Sequence, residues 1–337
     1  MTTTDLAQRL RRPARYAWLT VMVLCWSVAI IGQLGRTTPY LEIATHFALQ
    51  LCWASAMLAL AALLLRRWRH ALVAIALVLW QTWLIWPSDS LPVVTAETPG
   101  VRIRLIEFNT WYFNPHPDDI VAYLRDSKAD VIGLVEVSPQ MKAALAPLYA
   151  LYPYHADCLD NDPRCEELLL SRWPIDQVSA GRVDGGLPVV ITARLHPATD
   201  IAVDIALTHL IRPLTHFHPG PSATFLPATA PTVQSEQAAR LATKLAQLGP
   251  DAVFLGDLNA TPWSPVLKAL RRIGSWDAEA VLAPSWPSWG TAPLRLPIDH
   301  VLTRGRVVLT GLTTGPVLSS DHLPLEADLF IHGKTPQ

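Results

Sequence analysis

The chain has 337 residues, half of them hydrophobic, 13 of them Trp and only 16% charged, with a mean hydropathy of +0.25. That length is too great for one small domain and suggests a large domain with an appendage. Charge is unevenly spread: residues 98–337 carry 19 Lys+Arg against 24 Asp+Glu, a net −5, and the preceding segment 8 against 4. A domain built to hold long nucleic acid usually has a basic surplus, so the acidic balance weighs against nonspecific DNA binding.

Three apolar runs fill the first ninety residues, at about 16–34, 46–65 and 70–87. A membrane helix needs roughly 17–25 predominantly apolar residues, so three transmembrane helices are expected, the third being the weakest because it is short and contains Gln81. Three runs in succession, with no small-residue cleavage site after the first, argue against a removed signal peptide. The absence of a polar stripe argues against a soluble helical hairpin. Arg9, Arg11, Arg12 and Arg15 precede the first run, Arg66, Arg67 and Arg69 separate the second from the third, and the intervening loop offers only Arg36. Basic residues stay on the cytoplasmic side. The expectation is a multi-pass inner-membrane anchor over residues 1–87, with a cytoplasmic amino terminus and a periplasmic domain after it. If only two runs cross, that domain lies in the cytoplasm instead.

Cys25 and Cys52 fall in the apolar runs and read as small buried hydrophobes. Cys158 and Cys165 bracket the polar, turn-rich segment CLDNDPRC. They are expected to close a small disulfide ring, as an oxidising compartment permits; free thiols are the alternative. A metal site needs more ligands than this pair offers.

Residues 88–100 form a proline-punctuated polar linker, and a globular domain is expected over 101–332. Residues 101–109 read as a strand closed by Asn109, and 118–126 as a helix with Ile120, Val121 and Leu124 on its apolar face. Residues 129–137, ADVIGLVEV, resemble a strand buried on both faces. Glu136 near its end needs a partner, a metal ion or an arginine, because an isolated buried charge is costly. Further strands are expected at 168–172, 189–195 and 201–209, the last ending in His209. A long proline-rich insertion, 212–234, contains His216 and His218, read as surface residues. An amphipathic helix follows at 235–248.

The stretch VFLGDLN, 253–259, is an apolar strand ending in Asp257 and Asn259, which sit two apart and therefore project together. A short helix at 264–272 and strands at 293–302, 307–312 and 325–331 complete the domain. The first of these strands carries Asp299 beside His300, and Asp321-His322 stands at the entry to the last. No glycine-rich phosphate loop and no internal repeat appears.

Taken together, EFNTW, GLVEV, LLSRWPI, LTHL, GDLNATP, IDHVL and SSDHLPL occur in an order that resembles the endonuclease/exonuclease/phosphatase superfamily of metal-dependent phosphoesterases. Any one motif is weak; the ordered set spans the whole downstream domain. The resemblance implies a four-layer α/β sandwich, two mainly antiparallel sheets packed face to face between helices, with the site where loops gather at one end. It implies Glu136 as principal Mg²⁺ ligand (Mn²⁺ being possible), with Asn109 and Asp321 beside it. Asp257 and Asn259 would orient the water and the scissile phosphate, and Asp299 would fix the tautomer of His322. His209 would protonate the leaving oxygen or hold a phosphate oxygen. Whether Asp257 or His322 is the base stays open. One departure is Glu166-Glu167 ahead of the LSR strand: one of them could orient His209, but the surface reading is preferred.

The expected function is a membrane-anchored, Mg²⁺-dependent phosphoester hydrolase, a phosphodiesterase or phosphatase. Its partners would be the bilayer and a lipid, lipid-linked or small phosphoester, with no obligate protein partner. A membrane-tethered nuclease and an inactive binding module are the alternatives.

Overall fold

The first apolar run folds into the long helix α1 (Thr3–Leu34). After residues 35–40, α2 (Ile43–His46) gives way at Phe47 to α3 (Ala48–Leu64) and then α4 (Trp68–Ile85). The structure, a computed structural model of the chain, describes residues 3–34, 41–86, 91–92, 94–95, 98–160, 162, 165–213, 230–277 and 281–333; the side chains of 3–15 and 230–232 are outside that description. It divides into two compact units, Met1–Trp86 with Trp263–Pro265, and Pro87–Pro262 with Val266–Gln337.

In the first unit only two described helices are long and apolar enough to cross a membrane, Tyr16–Leu34 of α1 and Trp68–Ile85, which is α4. This corrects the expectation of three transmembrane helices, and in an unexpected place. The third run makes a full 18-residue helix, and it is the second that falls short at 17 residues. Phe47, at φ −87° and ψ 11°, leaves helical geometry and takes the start of that run out of the helix. Seventeen residues rise about 26 Å, less than the roughly 30 Å hydrocarbon core. Ala59, Ala62, Ala71 and Ala74 are buried in this unit, and such small residues let helix backbones approach closely.

The second unit is built on two mixed sheets. One has the order β10-β11-β1-β2-β4-β3, from β1 (Gly100–Asn109), β2 (Val131–Val135), β3 (Tyr154–Asp157), β4 (Leu168–Ser171), β10 (Val307–Thr314) and β11 (Leu325–His332). The other runs β5-β6-β7-β8-β9, from β5 (Ile175–Val183), β6 (Gly186–Ala198), β7 (Ile201–Thr208), β8 (Ala252–Asp257) and β9 (Asp299–Arg304). Each sheet holds one parallel pair, β1 with β2 and β7 with β8; the remaining pairs are antiparallel.

The alternation of side chains along a strand divides the core into three seams. Ile103 and Leu105 of β1 meet Ile205, Leu207 and Leu255 between the sheets. The opposite face of β1, Ile106 and Phe108, packs on α5 (Pro117–Asp126) and α6 (Pro139–Ala144) through Ile120, Leu124 and Met141. Ala206 and Phe254 cover the other outer face with Leu241 and Leu245 of α7 (Ala230–Leu245) and Leu267 and Leu270 of α8 (Pro265–Gly274). Helix, sheet, sheet, helix is the four-layer order expected.

This topology sets the site. Parallel β1 and β2, and parallel β7 and β8, all finish at one end of their sheets. Antiparallel β9 begins there, with Asp299 in register with Asp257, and β11 begins beside Glu107. Gly256 makes the β8 ending possible. It sits at φ 141°, and a Cβ at this position would lie 1.9 Å from the Thr208 carbonyl oxygen.

Candidate active site

Six segments converge on this end of the sandwich, and they carry all eight residues singled out from the sequence. Glu136 follows β2 at φ 54°, a left-handed conformation uncommon for a non-glycine residue. Its Oε1 accepts from Asn109 Nδ2 at 3.0 Å and its Oε2 from the Tyr112 backbone N–H at 3.1 Å. Arg212 Nη2 also donates to Oε1, at 3.2 Å, and His209 Nε2 lies 3.8 Å from it. Burial alone would raise this carboxyl, but His209, the Asn109 amide, the Tyr112 N–H and Arg212 outweigh it and hold Glu136 at about 2. The residue is a fixed carboxylate.

Asn109 Nδ2 also donates to Asp257 Oδ2 at 3.0 Å, while its Oδ1 accepts from the Trp111 N–H at 2.9 Å. The resemblance implied a metal ligand here. In this arrangement Asn109 presents its amide nitrogen to the carboxylates and sets their spacing. Asp257 is fully buried; burial and the Asp299 charge push it upward, partly countered by His322, His209 and Asn109. Its Oδ1 accepts from the Asn259 N–H at 2.8 Å, and Asn259 Nδ2 reaches the Leu210 carbonyl at 2.9 Å and His209 Nε2 at 3.2 Å. His209 Nε2 and His322 Nε2 each lie 3.6 Å from Asp257 Oδ2.

His322 is 1% exposed. Its Nδ1 meets Asp299 Oδ2 at 2.8 Å and Oδ1 at 3.1 Å. Burial would lower it, yet Asp299, Asp257 and Asp321 together lift it to about 9. Asp321 accepts from Trp286 Nε1 through Oδ2 at 3.2 Å, and its Oδ1 is buried with no hydrogen-bond partner. Ser320 Oγ donates to the Asn109 carbonyl at 2.7 Å, tying this loop to the end of β1. His300, by contrast, is structural: its Nε2 meets the Ala260 carbonyl oxygen at 2.6 Å.

Four contributors escape a reading by motif. Glu107 is fully buried two residues before Asn109, both its carboxyl oxygens lack a hydrogen-bond partner, and burial with the Asp299 and Asp257 charges pushes it far upward. The i, i+2 rule that pairs Asp257 with Asn259 would have found it. Ser285 donates to Asp299 and Trp286 to Asp321, and both come from a stretch without periodicity. Arg212 opens the proline-rich insertion and belongs to no motif. Glu167 corrects a preference for surface charge, while Glu166 is only half-buried: Glu167 is 4% exposed and burial lifts it to about 8. Cys158 and Cys165, just before them, form the expected disulfide. His216 and His218 lie outside the described residues.

The donor set suits a divalent cation. Glu136, His209 and Asp257 place one ligand atom each within 4.8 Å of one another, as do Asp257, Asp299 and His322, so Asp257 is common to both groups. Hard oxygen donors fit Mg²⁺ or Mn²⁺, and the orphaned Oδ1 of Asp321 is a buried acceptor in want of a cation or donor.

A structure of an endonuclease/exonuclease/phosphatase protein from Bacteroides vulgatus is similar, with a TM-score of 0.55 at 16% identity, over 69% of this chain and 100% of the other. A humanised D. rerio TDP2 gives 0.52 at 13%, over 68% and 98%. A Staphylococcus aureus β-toxin variant with bound magnesium ions gives 0.51 at 14%, over 67% and 99%. No curated protein matches the sequence. These likenesses at low identity show the fold, and a family model settles the kinship: it covers residues 106–322, from β1 through His322, and so takes in every residue of the site. The chain belongs to the endonuclease/exonuclease/phosphatase family, whose members are generally phosphoester-acting hydrolases.

Proposed function

We propose that this chain is a membrane-anchored phosphoester hydrolase that depends on a divalent cation, with Mg²⁺ as the expected ion. The observation that carries the reading is the convergence of Glu136, Asp257, Asp299 and Asp321 with His209 and His322 at one end of the sandwich, bridged by Asn109. Glu136 and Asp321, with Asp257 beside them, would hold the cation. When bound, the ion supplies charge stabilisation for the phosphoryl oxygens.

The protein's own groups divide the remaining work. Asp257, raised by burial and anchored through one oxygen to the Asn259 N–H, orients the attacking water and takes its proton. His322, kept cationic by Asp299, stabilises charge on the phosphoryl group in a buried setting where such interactions are strong. That arrangement favours Asp257 over His322 as base. His209, more exposed at 19%, serves the leaving oxygen, and Asn259 donates to a phosphoryl oxygen.

Apolar phosphoesters, lipid-linked ones above all, are the favoured substrates. The domain is acidic, and exposed aromatics adjoin residues that support the site. Phe113, 75% exposed, neighbours Tyr112, whose N–H holds Glu136; Trp289, 81% exposed, follows Ser288, whose N–H meets the Asp321 carbonyl. Such side chains suit an apolar substrate or a bilayer interface. The two long apolar helices support membrane association; two crossings by themselves would leave the domain on the cytoplasmic side, and it is the Cys158–Cys165 disulfide that supports a catalytic domain outside the cytoplasm.

The test is hydrolysis by the full-length protein in detergent, with Mg²⁺ or with chelator, against a generic phosphodiester, a phosphomonoester, phospholipids, and single- and double-stranded DNA. Cation-dependent turnover of a phospholipid or small phosphoester supports the reading. Turnover of DNA alone replaces it with the nuclease, and no turnover of any member leaves the inactive binding module.

A further inference from the structure

Arg212 stands three residues beyond His209, in the segment that leaves β7. Two hydrogen bonds fix that segment: the Ile211 N–H donates to Gln237 Oε1 of α7 at 2.9 Å, and the Leu210 carbonyl accepts from Asn259 Nδ2 at 2.9 Å. Arg212 Nη2 then reaches Glu136 Oε1 at 3.2 Å. The two partners are unequal, with the Arg212 side chain 48% exposed and that of Glu136 8%. One belongs to the wall of the site and the other to its mouth.

A half-exposed ion pair contributes little to stability, so holding Glu136 is a poor account of the arginine. The chemistry of the site suggests a better one. Four carboxylates, Glu136, Asp257, Asp299 and Asp321, face two histidines here, and an anionic phosphoester must enter among them. A guanidinium presents five donors in a planar fork that matches phosphate oxygens, and Nη2 of Arg212 already reaches into the site as far as Glu136 Oε1.

We propose that Arg212 is a substrate-binding residue, which takes a non-bridging phosphoryl oxygen of the bound phosphoester and gives up its contact with Glu136 to do so. This rests on the hydrolase reading above. It also makes Arg212 and the divalent cation competitors for the same carboxylate. Removing the arginine then moves two equilibria in opposite directions: phosphate affinity falls, and cation affinity holds or rises. A residue that merely propped Glu136 would lower both together.

The experiment uses the full chain in detergent as wild type, Arg212→Ala and Arg212→Lys, each checked by thermal melting. Calorimetry measures Mg²⁺ binding, then inorganic phosphate binding at saturating Mg²⁺, and steady-state kinetics follow on the best phosphoester of the panel. The expected result for Arg212→Ala is phosphate affinity weakened about tenfold, the loss of roughly one charge-assisted hydrogen bond. KM rises in proportion, kcat changes less, and Mg²⁺ binding is equal or tighter. Arg212→Lys, which keeps the charge without the fork, recovers part of the loss. Unchanged phosphate affinity and KM overturn the proposal, and so does Mg²⁺ affinity falling in parallel with phosphate affinity. A wild type that neither binds Mg²⁺ nor turns over any phosphoester defeats the hydrolase reading and this inference with it, whereas an active wild type matched by Arg212→Ala defeats the inference alone.

Discussion

Replacing Asp299 by Asn tests the electrostatics of the site at its most buried pair. The carboxylate faces His322 Nδ1 with both oxygens, at 2.8 and 3.1 Å, and the two side chains are each 1% exposed. An amide keeps the shape and removes the charge. A hydrogen bond between charged groups contributes about 1.5–3 kcal/mol, and one pKa unit corresponds to about 1.4 kcal/mol. Asp299→Asn should therefore lower His322 by about 1–2 units from its position near 9. The raised value means that the imidazolium stabilises the fold fully below the ordinary 6.5 and that this contribution is lost as pH rises towards 9; the variant should lose it earlier. The assay is NMR titration of the His322 ring in chelator-treated protein, with the resonance assigned through His322→Gln. A midpoint still near 9 in Asp299→Asn would refute the reasoning, because Asp257 and Asp321 would then suffice to hold the charge.

The remaining predictions concern stability and location. Glu167 titrates near 8 when folded against an ordinary 4.5, so the folded protein retains a proton that the unfolded chain loses, and stability falls as pH rises through that window. Glu167→Gln should melt higher than wild type at pH 8, by an amount bounded at a few kcal/mol, and equally below pH 4.5; parallel melting profiles would count against a buried, protonated Glu167. Gly256→Ala forces a Cβ onto the Thr208 carbonyl at 1.9 Å and should cost more than about 1 kcal/mol, seen as a lower melting temperature; an unaltered melt would show that β7 and β8 can part without penalty. In unreduced cells a thiol-alkylating reagent should leave Cys158 and Cys165 unmodified, and full labelling of both would contradict an oxidising location.

The site was legible in the sequence because of how strands end. An apolar run cannot continue past a buried carboxylate without a reason, so Asn109, Glu136, Asp257 and Asp299 stood out at the tips of β1, β2, β8 and β9. Their order along the chain, with His209 and the Asp321-His322 pair, carried the family resemblance and with it the layer order of the domain. What stayed hidden depends on tertiary contact. β5 is largely exposed and polar, and β3 has four residues, two of them exposed; edge strands of this kind lack the buried alternation that marks a strand. Ser285 and Trp286 meet Asp299 and Asp321 only because the 281–298 segment folds back over them. Glu107 shares a face with Asn109 by strand parity, but an acid inside a strand belongs to no motif. The second apolar run yields a shorter helix than its composition suggests, because nothing about Phe47 in isolation announces a break.

The central claim is that Glu136 and its neighbours form a cation-dependent hydrolytic centre, and Glu136→Gln tests it most directly. The amide keeps the size, gives up one of the two accepting oxygens, and removes the carboxylate that His209, Asn109, Tyr112 and Arg212 hold ionised. In full-length protein, Mg²⁺-dependent phosphoester turnover should fall by about 10²-fold or more, a loss of roughly 3 kcal/mol in transition-state stabilisation, with Mg²⁺ affinity reduced and the melting temperature retained. Turnover equal to wild type in Glu136→Gln, or undiminished in chelator, would contradict it.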